Sequence, residues 1–321
     1  MFPDSEIHYL TKPAYNSLIP FFSHIKKVYL WETSYKKMSL LITNLKNEQY
    51  DYIIDLQGKL NSLLIKLLVP SNKIFTYKKL HLLRKMIVYK LTDKKIDSVA
   101  WKYIEALPQN RIDTIENIKF YHPSLTHNPL ITASVKEIFE SYNVRFDNYL
   151  IGIFPGSQHF TKQYPVEKYV NFILSIPEYF KCCFIIFGTW EEKILALKIR
   201  SLTGMNIIDM TGLFDFPQLI SAISLLNMVI SGDTGAMHLA AALQKPQIAI
   251  FGSTTTNLGF RPLNDNVIVL EHPLKCRPCT LHGRKTCPQG HLDCLMKIHS
   301  SDLLKAFEDL FNELIDYPKN N

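Results

Sequence analysis

The stretch Ser231-Gly232-Asp233-Thr234-Gly235 lies between an apolar run and a small-residue helical run, and it is the first place to look for chemistry. Met228 to Ile230 reads as a strand and Ala236 to Leu243 as a helix. Lys245-Pro246 ends that helix, because the residue before a proline is pushed out of the helical region, and Gln247 to Phe251 then reads as a buried strand. A helix that starts straight after a strand offers unpaired N–H groups and a partial positive charge, and glycines let a phosphate approach the main chain. Residues 233–235 are therefore a candidate anion site; the simpler reading is that Asp233 or Thr234 caps the helix. Lys162 follows the turn Pro155-Gly156-Ser157 in FTKQYP. A lone loop lysine usually faces solvent, but a lysine beside a candidate anion site can also neutralise a bound anion. Cys276, Cys279, Cys287 and Cys294 are spaced C-x2-C-x7-C-x6-C, with His282 and His291 between them. C-x2-C is the usual first half of a structural zinc site, although the remaining spacing fits no standard knuckle. Cys182-Cys183 falls in a strand and reads as core packing.

These residues need strands and helices to hold them. Ser5 to Leu10, Lys27 to Trp31 and Tyr52 to Leu56 read as strands, with helices expected over Pro13 to Phe22, Tyr35 to Asn47 and Asn61 to Leu68. The second half alternates more clearly. Strands are expected at Ile151 to Phe154, Cys182 to Phe187 and Asn206 to Met210, and helices at Val166 to Ile176, Glu191 to Leu202 and Phe216 to Leu226. Strands alternating with helices imply parallel sheets, and 321 residues suffice for two α/β domains. The boundary is placed near Asn148, giving domains 1–148 and 149–321, after a polar stretch from 109 and a helical SVKEIFESYNV.

Composition narrows the class. No apolar run approaches the roughly eighteen residues needed to span a bilayer, and the opening MFPDSEIHYL has no charged lead or apolar core of a leader, so a cytoplasmic chain with reduced thiols is expected. The net charge of +7 is concentrated: residues 73–102 carry nine basic and two acidic side chains. From Tyr77 to Leu91 the pattern is that of an amphipathic basic helix with Lys78, Lys79, Arg84, Lys85 and Lys90 off its apolar stripe. Such a face is either a solvated surface or a contact for anionic lipid headgroups or a phosphorylated acceptor. No nucleic-acid motif accompanies it.

SGDTGAMHLAAALQKPQIAIFGST resembles the donor-binding signature of glycosyltransferase family 9, the bacterial heptosyltransferases. YDYIIDLQGKLNSLLIKLL from Tyr50, IGIFPGSQHFTKQYPVEKYVNFI from Ile151 and KCRPCTLHGRKTCPQGHLDCLMKI from Lys275 agree with that family in order and spacing. The resemblance implies a GT-B architecture of two Rossmann-like doubly wound domains. It also implies transfer of a heptose or related sugar from an ADP-activated donor to the lipopolysaccharide core, inverting and with no metal or other cofactor required. The acceptor would be met at the inner membrane. By the same resemblance Lys162 contacts the donor phosphates, Ser157 serves the neighbouring turn, and Thr234 and Gly235 present N–H groups to the distal phosphate. Asp233 faces the sugar, where a carboxylate can accept two hydroxyl hydrogen bonds. Glu192, with Glu191 beside it, binds the ribose, Asp209 and residues 212–215 line the adenine side, and His238 reaches the phosphates or packs beside its helix.

The resemblance also implies an opening strand and an S-x-G-D turn whose aspartate acts as general base. No S-x-G-D occurs near the N-terminus, so the first domain is expected to be incomplete at its start, and the general base is unassigned. Either the true start lies upstream, or the unit is lost, or another carboxylate such as Asp55 substitutes. The alternative function is a catalytically silent nucleotide-sugar-binding protein that docks at the membrane or a partner through the basic 73–102 segment.

Overall fold

The computed structural model describes residues 5–22, 24–107, 123–204 and 207–316. They fall into two compact units: residues 1–83 with 97–122, and residues 84–96 with 123–321.

The second unit is built on a six-stranded parallel sheet in the order β10-β9-β8-β5-β6-β7. Its strands are β5 (Tyr149–Phe154), β6 (Cys182–Ile186), β7 (Ile208–Asp209), β8 (Met228–Gly232), β9 (Gln247–Phe251) and β10 (Val267–Glu271). β8 and β9 are buried along their whole length, as expected of central parallel strands covered on both faces. One face packs on α6 (Val166–Ser175), α7 (Lys193–Thr203) and α11 (Ser300–Asp316), with Tyr169, Phe172, Ile199 and Phe307 in the core. The other packs on α5 (Pro129–Ser141), α8 (Phe216–Leu225) and α9 (Gly235–Ala242). Short α10 (Asp293–Met296) adds Leu295 to the first face.

Two features of this unit lie outside the expected boundary at Asn148. Helix α5 belongs to it because Val135 and Phe139 are fully buried in its core, with Phe139 against Phe187 at 6.3 Å between ring centroids. Residues 84–96 also belong to it: Arg84 Nε donates to Leu258 O at 3.2 Å and Ile96 N to Asn257 O at 2.9 Å. Part of the polar stretch from 109 lies outside the described residues. Three elements of this unit carried no expectation: β10, the short α10 and the C-terminal helix α11.

The first unit contains two separate parallel pairs. β1 (Ile7–Thr11) pairs with β2 (Ile25–Leu30), and β3 (Tyr50–Asp55) with β4 (Ser71–Thr76). α1 (Tyr35–Asn47) and α2 (Leu60–Leu68) supply its small core of Leu41, Leu45, Ile65 and Val69, and α4 (Val99–Ile104) follows later in the chain. Residues 13–21, expected as a helix, form a 3-10 helix with Pro20 inside it. Strand β4 was absorbed, in the sequence reading, into the start of the basic segment. The basic helix itself is shorter than its pattern: α3 spans only His81–Val88, and Lys90 beyond it takes a left-handed φ of 61° that breaks the helix. No helix among the described residues is long and apolar enough to cross a membrane.

Candidate functional site

In the second unit β5 is central; β6 and β7 follow to one side, β8, β9 and β10 to the other. The strand order therefore reverses at β5, and the crevice at the carboxyl ends of β5 and β8 is where ligands enter sheets of this kind. Lys162 closes the 3-10 turn Phe160–Lys162 after β5, and Asp233 follows β8. Their side chains meet across the crevice, Lys162 Nζ lying 2.7 Å from Asp233 Oδ2, with both largely buried. Thr254, just beyond β9, donates to the same oxygen at 2.7 Å. Three loops that end three neighbouring strands are thus joined at one carboxylate.

The backbone is equally close. A Cβ on Gly232 would lie 2.9 Å from Lys162 O, so only glycine lets the two loops pass at this separation. Thr161 ties the lysine loop down: its Oγ1 is 2.8 Å from Ser253 Oγ and accepts from Arg284 N at 2.9 Å, while Ser253 N donates to Thr161 O at 3.1 Å. Helix α9 has Thr234 at its N-cap with no side-chain capping bond. The capping role open to Asp233 or Thr234 is therefore not taken up, and the helix keeps N–H groups for an anion. His238 sits on the first turn. Its ring is open to solvent, yet desolvation by surrounding protein lowers its pKa, reinforced by Lys162 and opposed by Asp233, so it is neutral near pH 7.

The other expected donor residues lie at the ends of β5, β6 and β7. Ser157 Oγ accepts from His159 N at 3.3 Å and its carbonyl from Gln163 Nε2 at 2.7 Å, a role in the turn itself. Glu192 Oε2 accepts from Thr189 N at 2.9 Å, and its carboxyl fills the space where Gly156 has no Cβ. Exposed Glu191 has no such placement. Asp209 is occupied by its own turn, accepting from Thr211 N at 3.0 Å and Thr211 Oγ1 at 2.6 Å, with Lys193 Nζ 3.1 Å from its other oxygen. Burial alone would raise its pKa, but these partners outweigh burial and lower it.

Two expectations are corrected. Asp55 is not placed to act as a base: Gln57 N and Gly58 N donate to Oδ1 at 2.9 and 2.7 Å, and Lys66 Nζ lies 2.8 Å from Oδ2. Burial opposes its ionisation, yet these partners lower its pKa, which makes it a weak base. The basic residues do not form one helical face. Lys78 and Lys79 precede α3 in the first unit, whereas Arg84, Lys85 and Lys90 belong to the second. Arg84 stacks 5.0 Å over Phe260, and Lys90 Nζ donates to Pro278 O at 2.8 Å. The four clustered cysteines do line one cavity, but among the described residues no three His, Cys, Asp or Glu side chains are grouped closely enough to hold a metal ion. Burial pushes the Cys294 thiol up to about 11, and those of Cys182 and Cys183 to about 12 and about 11, which fits packing rather than reactivity.

Some functional residues gave no signal in advance. Thr254 was visible only as the end of IFGST. Arg277, within KCRPC, is buried and donates to the carbonyls of Phe251, Gly252, Thr254 and His272 and to Glu271, so it holds the β9 turn that carries Thr254. A buried arginine that satisfies carbonyls cannot be told from a surface one by sequence.

A doubly wound sheet with a lysine-carboxylate pair and a helix N-terminus at its switch point defines an α/β protein of the ligand-binding kind. The profile of Glycosyltransferase family 9 (heptosyltransferase) matches residues 38–291, most of the chain, and the chain belongs to that family. It is 24% identical to lipopolysaccharide heptosyltransferase 1 of Campylobacter coli over 97% of this chain and 91% of that protein. Its fold matches the glycosyl transferase family 9 structure from Veillonella parvula DSM 2008 with TM-score 0.77 and 19% identity, over 97% of this chain and 90% of that one. It also matches the Escherichia coli ADP-heptose lps heptosyltransferase II with TM-score 0.69 and 17% identity, over 97% and 91% of the two chains. The fold is that of the GT-B heptosyltransferases, and the chain is a glycosyltransferase of this family.

Proposed function

We propose that this chain transfers a heptose from an ADP-activated donor to an acceptor in the lipopolysaccharide core, with inversion and without a metal. The observation that carries this reading is the Lys162–Asp233–Thr254 constellation beside the uncapped start of α9. Charge develops on the diphosphate as the glycosidic bond breaks. A cation already fixed in position, with helix N–H groups beside it, stabilises that charge without reorganising. Asp233 holds Lys162 in place and presents its remaining capacity to sugar hydroxyls. Thr234 and Gly235 offer N–H groups to the distal phosphate, and neutral His238 offers it a hydrogen bond. Ser157 shapes the turn over which the donor lies. Glu192 sits over that turn, and its carboxylate retains capacity for a ribose hydroxyl beyond the Thr189 bond. The donor in this reading is the ADP-heptose named for the E. coli relative.

Lys78 and Lys79, exposed and basic, are proposed to meet the anionic membrane surface on which the acceptor is seated. A second reading, a nucleotide-sugar binder without turnover, draws support from the commitment of Asp55 to its own turn. Calorimetric titration with ADP-heptose, ADP and UDP, followed by turnover on a lipid A-Kdo acceptor, separates the readings. Adenine-selective binding with turnover supports the transferase, binding without turnover the silent protein, and absence of binding to all three nucleotides removes both.

A further inference from the structure

A cavity of about 600 Å³ in the second unit does not include Lys162 or Asp233 in its lining but lies behind the loops that carry them. Thr161 and Ser253, each one residue before a member of the Lys162–Thr254 constellation, form its shared wall. Five cationic side chains line it: Lys85, Lys90, Lys275, Arg277 and Arg284. No carboxylate lines it. Arg277 is spent on backbone carbonyls and Glu271, but among the described residues none of the other four has a carboxylate partner. Lys90 Nζ donates to Pro278 O at 2.8 Å, and Arg284 Nη2 to the next carbonyl, Cys279 O, at 3.1 Å. Two consecutive carbonyls therefore anchor two positive groups on one wall. The rest of each head group, together with exposed Lys85 and Lys275, remains for a ligand. Burial lowers the Lys90 pKa, opposed by Cys276 and Cys279, and Arg277 adds to the lowering. Gathering like charges without a counter-charge is unfavourable, and an entering anion removes the cost.

The geometry points to a binding site for an anionic substituent of the acceptor, a phosphate or a sugar carboxylate, held by Lys85, Lys90, Lys275 and Arg284 beside the donor crevice. This rests on the reading of the chain as a transferase to an anionic core acceptor. It differs from a membrane-facing patch in recruiting Lys275 and Arg284, which lie far along the chain from the basic segment. Because Thr161 and Ser253 are shared with the donor side, an acceptor anchored here is positioned relative to Lys162.

The test compares wild type with Lys85→Ala/Lys275→Ala, and with Lys198→Ala/Lys305→Ala, which removes the same charge from exposed positions outside the cavity. Both lysines in the first pair are exposed, so folding is not at stake, and calorimetry with ADP gives the donor affinity of each protein. The cavity variant is expected to raise KM for a phosphorylated lipid A-Kdo acceptor about tenfold or more, with ADP affinity and kcat unchanged and the control pair at wild-type values. Dephosphorylated and carboxyl-reduced acceptors identify the source: the one whose loss abolishes the difference between wild type and variant supplied the anion. Direct titration of wild type with the acceptor alone separates the two proposals. Acceptor binding weakened tenfold in the cavity variant without any turnover overturns the transferase reading and keeps the site. Equal KM and equal acceptor affinity in wild type and cavity variant, or an equal loss in the control pair, overturns the site.

Discussion

The two units treat parallel strands in opposite ways. In the second, β5, β8 and β9 are buried almost throughout, with a core on each face of the sheet. In the first, the strands come in two pairs, and Ile7, Tyr9, Tyr52, Ile54 and Ile74 are all exposed. Parallel sheets draw their stability from two-sided burial, and a two-stranded sheet has little of its own. The lesson concerns where precision resides. The Lys162–Asp233–Thr254 contact is made by loops whose strands cannot shift without disturbing both cores, whereas Asp55, a buried carboxylate of the first unit, is fixed by its own turn and Lys66.

Substitution in the cores tests this contrast most strongly. Phe139→Ala is expected to destabilise the second unit by about 3–5 kcal/mol, because Phe139 is fully buried, while Ile54→Ala, 41% exposed, should cost less than about 1 kcal/mol. Denaturant unfolding of the two variants checks this, and equal losses would break the comparison. Lys162→Ala should weaken donor binding by about 100-fold, roughly 3 kcal/mol, through loss of a charge-assisted contact. Calorimetry with ADP reads this directly, and unchanged affinity would remove Lys162 from the donor site. A smaller effect is expected of Gly232→Ala, whose methyl must displace the Lys162 loop: about 1–3 kcal/mol in stability and a measurable fall in donor affinity. If affinity is untouched, the loop contact is not what sets the lysine. The smallest effect concerns acid. The Asp209 pKa is lowered in the fold, so its contribution to stability is fully present above its unfolded value near 4 and is lost as pH falls through the folded value. Asp209→Asn should therefore lower stability at pH 7 and flatten its decline below about pH 4, as followed by thermal unfolding across pH.

Much of the second unit was legible in advance. Continuous apolar runs such as Gln247 to Phe251, bounded by Pro246 and Gly252, mark buried strands, and proline and glycine mark where they stop. β10 carried no expectation although VIVLE is as apolar as its neighbours and is bounded by Asn264-Asp265-Asn266 and Pro273. The basic segment misled because helical periodicity over Tyr77 to Leu91 says nothing about the strand β4 just before it or the left-handed Lys90 after α3. Lys162 and Asp233 were each found through the short motifs around them, but not as a pair.

By itself the sequence determined the alternation of strands and helices, the turn after β8, and the loop that carries Lys162. These depend on contacts a few residues apart, which local pattern encodes. The tertiary structure alone decided that Lys162, Asp233 and Thr254 meet, that residues 84–96 and α5 join the second unit, and that five lysines and arginines share a cavity with four cysteines. Those facts depend on strand order and on which loops a sheet brings side by side, and that follows from the packing of the whole chain.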